Sequence, residues 1–197
     1  FKTSTDSEVL LHGYEQWGED LLQRLRGMFA FVIWDSREQK LFGARDIFGI
    51  KPFYYYQHNG EFFYGSEIKS FLAHPNFVKE LNEERLPEYL CYEYVPDEET
   101  MFRHVYKLLG GHCFTYQNGK LSIRPYNEIQ YHIDEKPTLE EWEKRITDTF
   151  AESVRAHKIA DVEVGCFLSS GVDSSYVVKE VSKTADGVKT FSVGYAE

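Results

Sequence analysis

The sequence predicts two regions: a β-rich α+β region, followed by the first β-loop-α-β unit of an α/β domain. The first region is indicated by aromatic, β-prone segments that meet at Asn59-Gly60 and at Asn118-Gly119, dipeptides typical of two-residue hairpin turns. The second is indicated by a short apolar segment at 162–167, a hydroxyl-rich turn, and then apolar residues at helical spacing. The polar segment at 125–137 has no clear period, so we interpret it as a linker and predict domains over 1–130 and 131–197.

Apolar periodicity and turn residues predict the individual elements in chain order. Helices are predicted over 7–17, 20–25, 67–72, 83–89 and 138–158. Strands are predicted over 27–35, 41–46, 51–56, 61–64, 112–116, 120–124, 162–167 and 188–195. The segment 27–35 is continuously apolar, so we expect a central strand covered on both faces. Thr138 and Glu141 form a capping-box pattern, which fixes the start of the last long helix.

The composition restricts the classes of function. Hydrophobic residues at 42% and aromatic residues at 16% suit a well-buried globular core. The formal net charge is −10 and no basic stripe offsets it, which argues against nucleic acid and against membrane surfaces as partners. The three cysteines, Cys91, Cys113 and Cys166, share no metal-ligand or disulfide spacing. We therefore expect a reducing, cytoplasmic setting.

The turn at 168–175, with the sequence LSSGVDSS, has residue types suited to binding phosphate. Small residues let the backbone approach a ligand, the free amides of a helix start attract anions, and serine hydroxyls add donors. A Walker A loop is excluded because the turn contains no lysine. Asp173 would either cap the following helix or hold a cation that bridges to the phosphates. A Ser/Asp-rich helix cap without a ligand is the alternative.

This turn resembles the pyrophosphate loop of ATP pyrophosphatases, S-G-G-x-D-S, with Ser170 at the position of the first glycine. The resemblance implies an enzyme that cleaves ATP between its α and β phosphates and adenylates a substrate. It implies that Asp173 binds Mg²⁺, and that Val193, at the end of the next strand, contacts the adenine. The implied ATP- and pyrophosphate-binding residues are Leu168, Ser169, Ser170, Gly171, Val172, Asp173, Ser174, Val193 and Gly194.

A second resemblance covers the first region. Residues 45–52 (RDIFGIKP), preceded by 27–31 (GMFAF) and followed by 65–69 (GSEIK), resemble the class II glutamine amidotransferase domain. That family implies a four-layer αββα sandwich of the N-terminal nucleophile type, which hydrolyses glutamine with an N-terminal cysteine. Asp6 matches the family's Ser/Thr-Asp-x-Glu position, which implies that it binds the α-amino group of glutamine. Arg45 and Asp46 are assigned no chemistry, because they match scaffold positions.

The family's nucleophile, and its substrate-binding arginine and Asn-Gly-Glu motif, would all lie upstream of the first segment seen here. None of the three cysteines can borrow a free α-amino group as a base, because none is at a chain terminus. We therefore expect no catalytic residue within this sequence and no glutamine hydrolysis by it as written, and we interpret it as a fragment.

A sequence with these two motifs in this order resembles the family of glutamine-hydrolysing asparagine synthetases. The segment 105–112 also resembles that family's V-x-K-L-x-P-G-H sequence, with Gly110 in place of the proline. The family implies that ATP, with Mg²⁺, adenylates the aspartate side chain and that ammonia from glutamine displaces AMP. The implied small-molecule partners are glutamine, aspartate and ATP, and the products are asparagine, AMP, pyrophosphate and glutamate.

Two alternatives remain open at this point. The first is a ligase of the same architecture, such as a β-lactam-forming synthetase, whose first domain has lost its nucleophile. The second is a catalytically dead scaffold that binds a nucleotide or a partner without turnover. The sequence does not identify the acceptor carboxylate, and it is compatible with a homodimer without indicating one.

Overall fold

The computed structural model describes residues 1–184 and 187–194, and the chain divides into two units, Phe1–Gln130 and Tyr131–Glu197. The helices of the first unit are α1 (Asp6–Trp17), α2 (Leu86–Tyr92) and three 3₁₀ helices, Gly18–Gln23, Ile68–Ala73 and Glu83–Arg85. Its strands are β1 (Ala30–Asp35), β2 (Lys40–Arg45), β3 (Tyr54–His58), β4 (Glu61–Gly65), β5 (Val105–Lys107), β6 (His112–Gln117) and β7 (Lys120–Pro125). Among the residues described, no helix combines the length and the apolar character needed to cross a membrane.

The strands of the first unit form two antiparallel sheets, one with the order β1-β2-β6-β7 and one with the order β4-β3-β5. Two of the hairpins turn at the predicted dipeptides. Asn59 and Gly60 have φ values of 49° and 80°, and Asn118 and Gly119 have φ values of 52° and 76°. The type I′ turn matches the twist of the two strands and requires a left-handed backbone at both central residues, which Asn-Gly adopts with little strain. Both predicted hairpins are confirmed.

Alternation along the strands places the core of the first unit on both faces of each sheet. One face of the four-stranded sheet packs on α1 and the following 3₁₀ helix through Leu21, Leu22, Ile33, Phe42, Ala44 and Cys113. Its other face packs on the three-stranded sheet through Phe53, Tyr55, Leu108 and Phe114. The far face of the smaller sheet is covered by the helix Ile68–Ala73 through Tyr56, Phe71 and Val105. The layers are therefore helix, sheet, sheet, helix.

The position predicted for the strand at 27–35 is wrong. β1 lies at the edge of its sheet within the described residues, not at the centre. It is nevertheless apolar on both faces because Phe31 and Ile33 join the helix-side core while Ala30 and Val32 face the other sheet. The apolar residues of a strand indicate that both of its faces are buried. They do not indicate whether a neighbouring strand pairs with each of its two edges.

The turn between β2 and β3 is held by two adjacent side chains of opposite charge. The Arg45 guanidinium donates to the carbonyl oxygens of Gly49, Lys51 and Leu108, at 2.6–2.7 Å. The Asp46 carboxylate, only 1% exposed, accepts hydrogen bonds from the amides of Phe29, Ile50 and Lys51 at 2.9–3.2 Å. Within the described residues no ion pair joins the two side chains, so each acts as a scaffold through the backbone.

The second unit consists of α3 (Leu139–His157), β8 (Cys166–Phe167), α4 (Val172–Ser182) and β9 (Thr190–Phe191). The capping box is confirmed, with reciprocal hydrogen bonds between Thr138 and Glu141. β8 and β9 pair in parallel, as a β-loop-α-β unit requires. Both strands are shorter than the predicted 162–167 and 188–195, since the ladder pairs only two residues of each strand. Of the second prediction, Tyr195 lies outside the described residues.

Candidate functional site

The hydroxyl-rich turn begins where β8 ends, and its first residue is bonded to the neighbouring strand. The amide of Leu168 donates to the carbonyl oxygen of Phe191 at 2.8 Å. The hydroxyl of Ser192 donates to the carbonyl oxygen of Leu168 at 2.5 Å. Both polar backbone groups of Leu168 are therefore bound by β9 and the residue that follows it.

The serine side chains close the turn from within. The Ser169 amide donates to the Ser174 hydroxyl at 3.1 Å, and the two hydroxyl oxygens lie 2.9 Å apart. The Gly171 amide donates to the Ser169 hydroxyl at 3.2 Å, and the Ser175 hydroxyl donates to the Gly171 carbonyl at 2.9 Å. The turn is thus shaped by its own hydroxyls, which use two of its amides.

The next amides remain available. α4 begins at Val172, and within the described residues the amides of Val172, Asp173 and Ser174 have no hydrogen-bond acceptor. Val172 and Asp173 are exposed, as are the preceding Ser169, Ser170 and Gly171. Three unpaired amides at the positive end of an 11-residue helix are donors of the kind that suit an anion such as phosphate.

Asp173 lies in the first turn of α4 and is exposed, and in the described part of the chain its carboxylate has no hydrogen bond or ion pair. No group of three or more metal-ligating side chains is gathered anywhere in the described residues. A single carboxylate still suits Mg²⁺, which commonly binds one or two carboxylates together with substrate phosphates and water. The residues of the turn therefore suit a magnesium–polyphosphate ligand, and Asp173 is the carboxylate that the turn offers to a metal ion.

Val193 and Gly194 lie two and three residues after the end of β9 and are exposed. Because the preceding residue, Ser192, is bound to Leu168, Val193 and Gly194 lie next to the start of the turn. The structure thus brings the predicted residues of the second unit to the carboxyl ends of two adjacent parallel strands, where ligands of α/β sheets bind.

Asp6, the predicted glutamine-binding residue, is the first residue of α1 and is exposed. The residues in front of it are held by Glu8, whose carboxylate accepts from the Thr3 hydroxyl at 2.6 Å and from the Lys2 and Thr3 amides at 2.5 and 2.7 Å. The hydrogen bonds from the Thr3 hydroxyl and the Lys2 amide are the main causes that lower the pKa of Glu8 to about 2. Glu8 is therefore a carboxylate anion, and its hydrogen bonds hold the backbone that leads to Asp6.

Ser192 and Glu8 were not among the predicted site residues. Glu8 could have been identified from the local sequence, because it lies three residues after Thr5, at the capping-box position. Its observed partners, however, lie before Thr5 in the chain. No local sequence pattern identifies Ser192, since its partner Leu168 is 24 residues away.

Comparison with known proteins gives two family matches in chain order. A family described as the glutamine amidotransferase domain matches residues 1–127, and a family described as asparagine synthase matches residues 145–197.

Among curated proteins, asparagine synthetase [glutamine-hydrolyzing] 1 of Bacillus subtilis is 38% identical over 201 residues, which cover 100% of this chain and 31% of that protein. Asparagine synthetase [glutamine-hydrolyzing] 3 of the same bacterium is 35% identical over 180 residues, covering 90% of this chain and 29% of that protein. Amidase chry2 of Gibberella zeae is 34% identical over 190 residues, covering 92% of this chain and 27% of that protein. The chain spans less than a third of the length of these relatives.

Among solved structures, glutamine phosphoribosylpyrophosphate amidotransferase of B. subtilis, in complex with ADP and GMP, matches 97% of this chain and 39% of its own, at 14% identity and a TM-score of 0.45. A TM-score of that size is too low to establish a shared fold.

Proposed function

The chain belongs to the glutamine amidotransferase domain family, and on that premise we propose that it is part of an ATP-dependent, glutamine-hydrolysing asparagine synthetase. Residues 1–130 would belong to the glutamine domain and 131–197 would begin the synthetase domain. The observation that carries the proposal is the order of the two family matches along one chain, with a turn inside the second whose helix-start amides have no acceptor in the described residues. A cytoplasmic location follows from the same proposal, since free cysteines suit a reducing compartment.

In the proposed reaction the β-carboxylate of aspartate attacks the α-phosphorus of ATP, which forms β-aspartyl-AMP and releases pyrophosphate. Ammonia released from glutamine then attacks the acyl carbon and displaces AMP, which gives asparagine. Adenylation is needed because a free carboxylate has no adequate leaving group, whereas AMP is a good one.

The residues of the second unit would act on the phosphates. The amides of Val172, Asp173 and Ser174 would bind the departing pyrophosphate, and the hydroxyls of the turn would keep those amides in place. Asp173 would hold Mg²⁺, which supplies neutralisation of the charge that builds on the leaving group. Val193 and Gly194 would border the nucleotide at the end of β9.

In the first unit, Asp6 would bind the α-ammonium group of glutamine. Its exposed carboxylate at the start of α1 offers the charge that this group requires, and Glu8 fixes the backbone in front of it.

The proposal is tested on the full-length protein supplied with MgATP, aspartate and glutamine. We expect AMP, pyrophosphate, asparagine and glutamate in equal amounts, and no AMP when aspartate is left out. Formation of ADP and phosphate would reject the assignment. Formation of AMP with another carboxylate but not with aspartate would assign the chain to a related ligase, and binding of ATP without any turnover would assign it to a scaffold.

A further inference from the structure

The hydrogen bond from Ser192 to Leu168 lies beyond the end of the β8–β9 ladder. The two strands pair through Cys166 with Thr190 and through Phe167 with Phe191, and the Leu168 amide adds one more bond to the carbonyl of Phe191. The 2.5 Å bond from the Ser192 hydroxyl comes after all of these. It therefore fixes the first peptide of the turn and adds little to the pairing of the strands.

From Leu168 the constraint passes directly into the turn. The carbonyl of Leu168 and the amide of Ser169 belong to the same peptide plane. That amide donates to the Ser174 hydroxyl, and Ser174 lies in the first turn of α4, where the unpaired amides begin. One planar group thus connects the hydroxyl at the end of β9 with the hydroxyl at the start of α4.

A side-chain hydroxyl is suited to this role because of where the bond lies. Ser192 and the turn are exposed, so without the hydroxyl the Leu168 carbonyl could turn to bind water at little cost. The peptide would then be free to rotate, and the Ser169 amide would lose its alignment with Ser174. The main loss would be the preorganisation of the turn, while the folded unit itself would stay intact.

We propose that Ser192 is a positioning residue of the nucleotide site, which acts through the Leu168–Ser169 peptide to keep the turn in its phosphate-binding shape. The inference rests on the proposed function, because it assigns Ser192 to the same ATP site.

The test compares three variants of the full-length protein. Ser192→Ala removes the hydroxyl, Ser192→Thr keeps it, and the added methyl group of threonine is tolerated because the position is exposed. Ser182→Ala is the matched control, since the Ser182 hydroxyl binds the Lys179 carbonyl at 2.8 Å within the last turn of α4, away from the site. For each variant we would measure asparagine synthesis with ammonium as the nitrogen source, the thermal midpoint, and the affinity for an ATP analogue with a methylene group between the α and β phosphates.

We expect Ser192→Ala to raise the KM for ATP, and the Kd of the analogue, by about two- to tenfold, the effect of one net hydrogen bond. The kcat at saturating ATP, the KM for aspartate and the thermal midpoint should change little, and Ser192→Thr and Ser182→Ala should behave as the wild type does.

Two results would overturn the inference: unchanged nucleotide affinity in Ser192→Ala, whether or not its thermal midpoint falls, or equal losses of affinity in the alanine and threonine variants. Failure of the wild type to form AMP and pyrophosphate would instead reject the proposed function. In that case the analogue affinity of the same variants would still decide the role of Ser192.

Discussion

The imidazole rings of His58 and His104 are stacked, with ring centroids 3.8 Å apart and an interplanar angle of 16°. His58 ends β3, and His104 lies just before β5 with a left-handed backbone at φ 64°. Burial, together with the charge that His58 would carry, lowers the pKa of His104. Arg103 acts in the same direction, whereas Glu80 opposes it, and the Tyr56 ring packs edge-on against both imidazoles. His104 is thus accommodated best when it is neutral.

This stacked pair predicts a loss of stability in mild acid. The pKa of His104 is lower in the folded protein than in the unfolded chain, where it is about 6.5. As the pH falls below that value, the unfolded chain takes up the proton first, so the free energy of unfolding decreases until the pH reaches the folded pKa. His104→Asn should reduce this pH dependence, since asparagine tolerates the left-handed backbone. Urea unfolding of the 197-residue chain between pH 8 and pH 5 measures the slope, and equal slopes for the two proteins would contradict the prediction.

Asp46→Ala should destabilise the first unit by about 3 kcal/mol or more, because it removes a buried carboxylate and leaves three backbone amides without their charged acceptor. Asp20→Ala, at an exposed position, is the control and should change the unfolding free energy by less than about 0.5 kcal/mol. Chemical denaturation of both variants checks the difference. Equal effects would show that Asp46 does not hold the turn.

Gly110 packs directly against the turn between β2 and β3. A Cβ at this position would lie 2.8 Å from both the Gly49 nitrogen and the Ile47 oxygen, which are backbone atoms of that turn. Gly110→Ala should therefore cost about 1–3 kcal/mol through overpacking. Gly187→Ala is the matched control, because a Cβ there would meet nothing within 4 Å, and it should leave the thermal midpoint unchanged or slightly raised.

Under the proposed function, Asp6→Asn should abolish glutamine-dependent asparagine synthesis by the full-length protein while leaving ammonium-dependent synthesis intact. The substitution removes the charge that would bind the α-ammonium group, but it leaves the ATP site unchanged. Glu8→Gln should give a milder rise in the KM for glutamine, because it weakens the hydrogen bonds that fix the residues in front of Asp6. Steady-state assays with each nitrogen source separate the two activities. Equal loss with both sources would contradict the role of Asp6.

Asp173→Asn should lower the formation of AMP and pyrophosphate by at least about a hundredfold, because the turn loses its only candidate metal carboxylate in the described residues. Glutamine hydrolysis should persist. Asp161→Asn, at an exposed position before β8, is the control and should keep its full activity. Titration with Mg²⁺ would show whether a higher metal concentration rescues the variant, and normal activity of Asp173→Asn would refute the assignment.

Features with local causes could be predicted from the sequence. The Asn59-Gly60 and Asn118-Gly119 turns follow from the backbone preferences of two adjacent residues, and the capping box of Thr138 follows from a spacing of three. The turn at 168–175 was found in the same way, since its glycine and hydroxyl residues are contiguous. Each of these patterns lies within one element or at its junction with the next.

Features that depend on distant contacts could not be predicted. The edge position of β1 is set by which strands pair with it, and the contact of Gly110 with Gly49 joins segments that share no period. The stacking of His58 on His104 likewise joins residues whose sequence neighbourhoods indicate only isolated histidines. The same limit applies to Ser192, whose partner Leu168 is 24 residues away in the sequence.

The bond between Ser192 and Leu168 also has a consequence for biosynthesis. The ribosome releases β8, the turn and α4 before it releases β9, and the two bonded residues are separated by 24 positions. Until Ser192 has left the exit tunnel, the Leu168 carbonyl lacks this hydrogen bond, and the shape of the turn has no support from that side. A nascent chain should therefore reach its full affinity for nucleotide only after this second strand has emerged and docked.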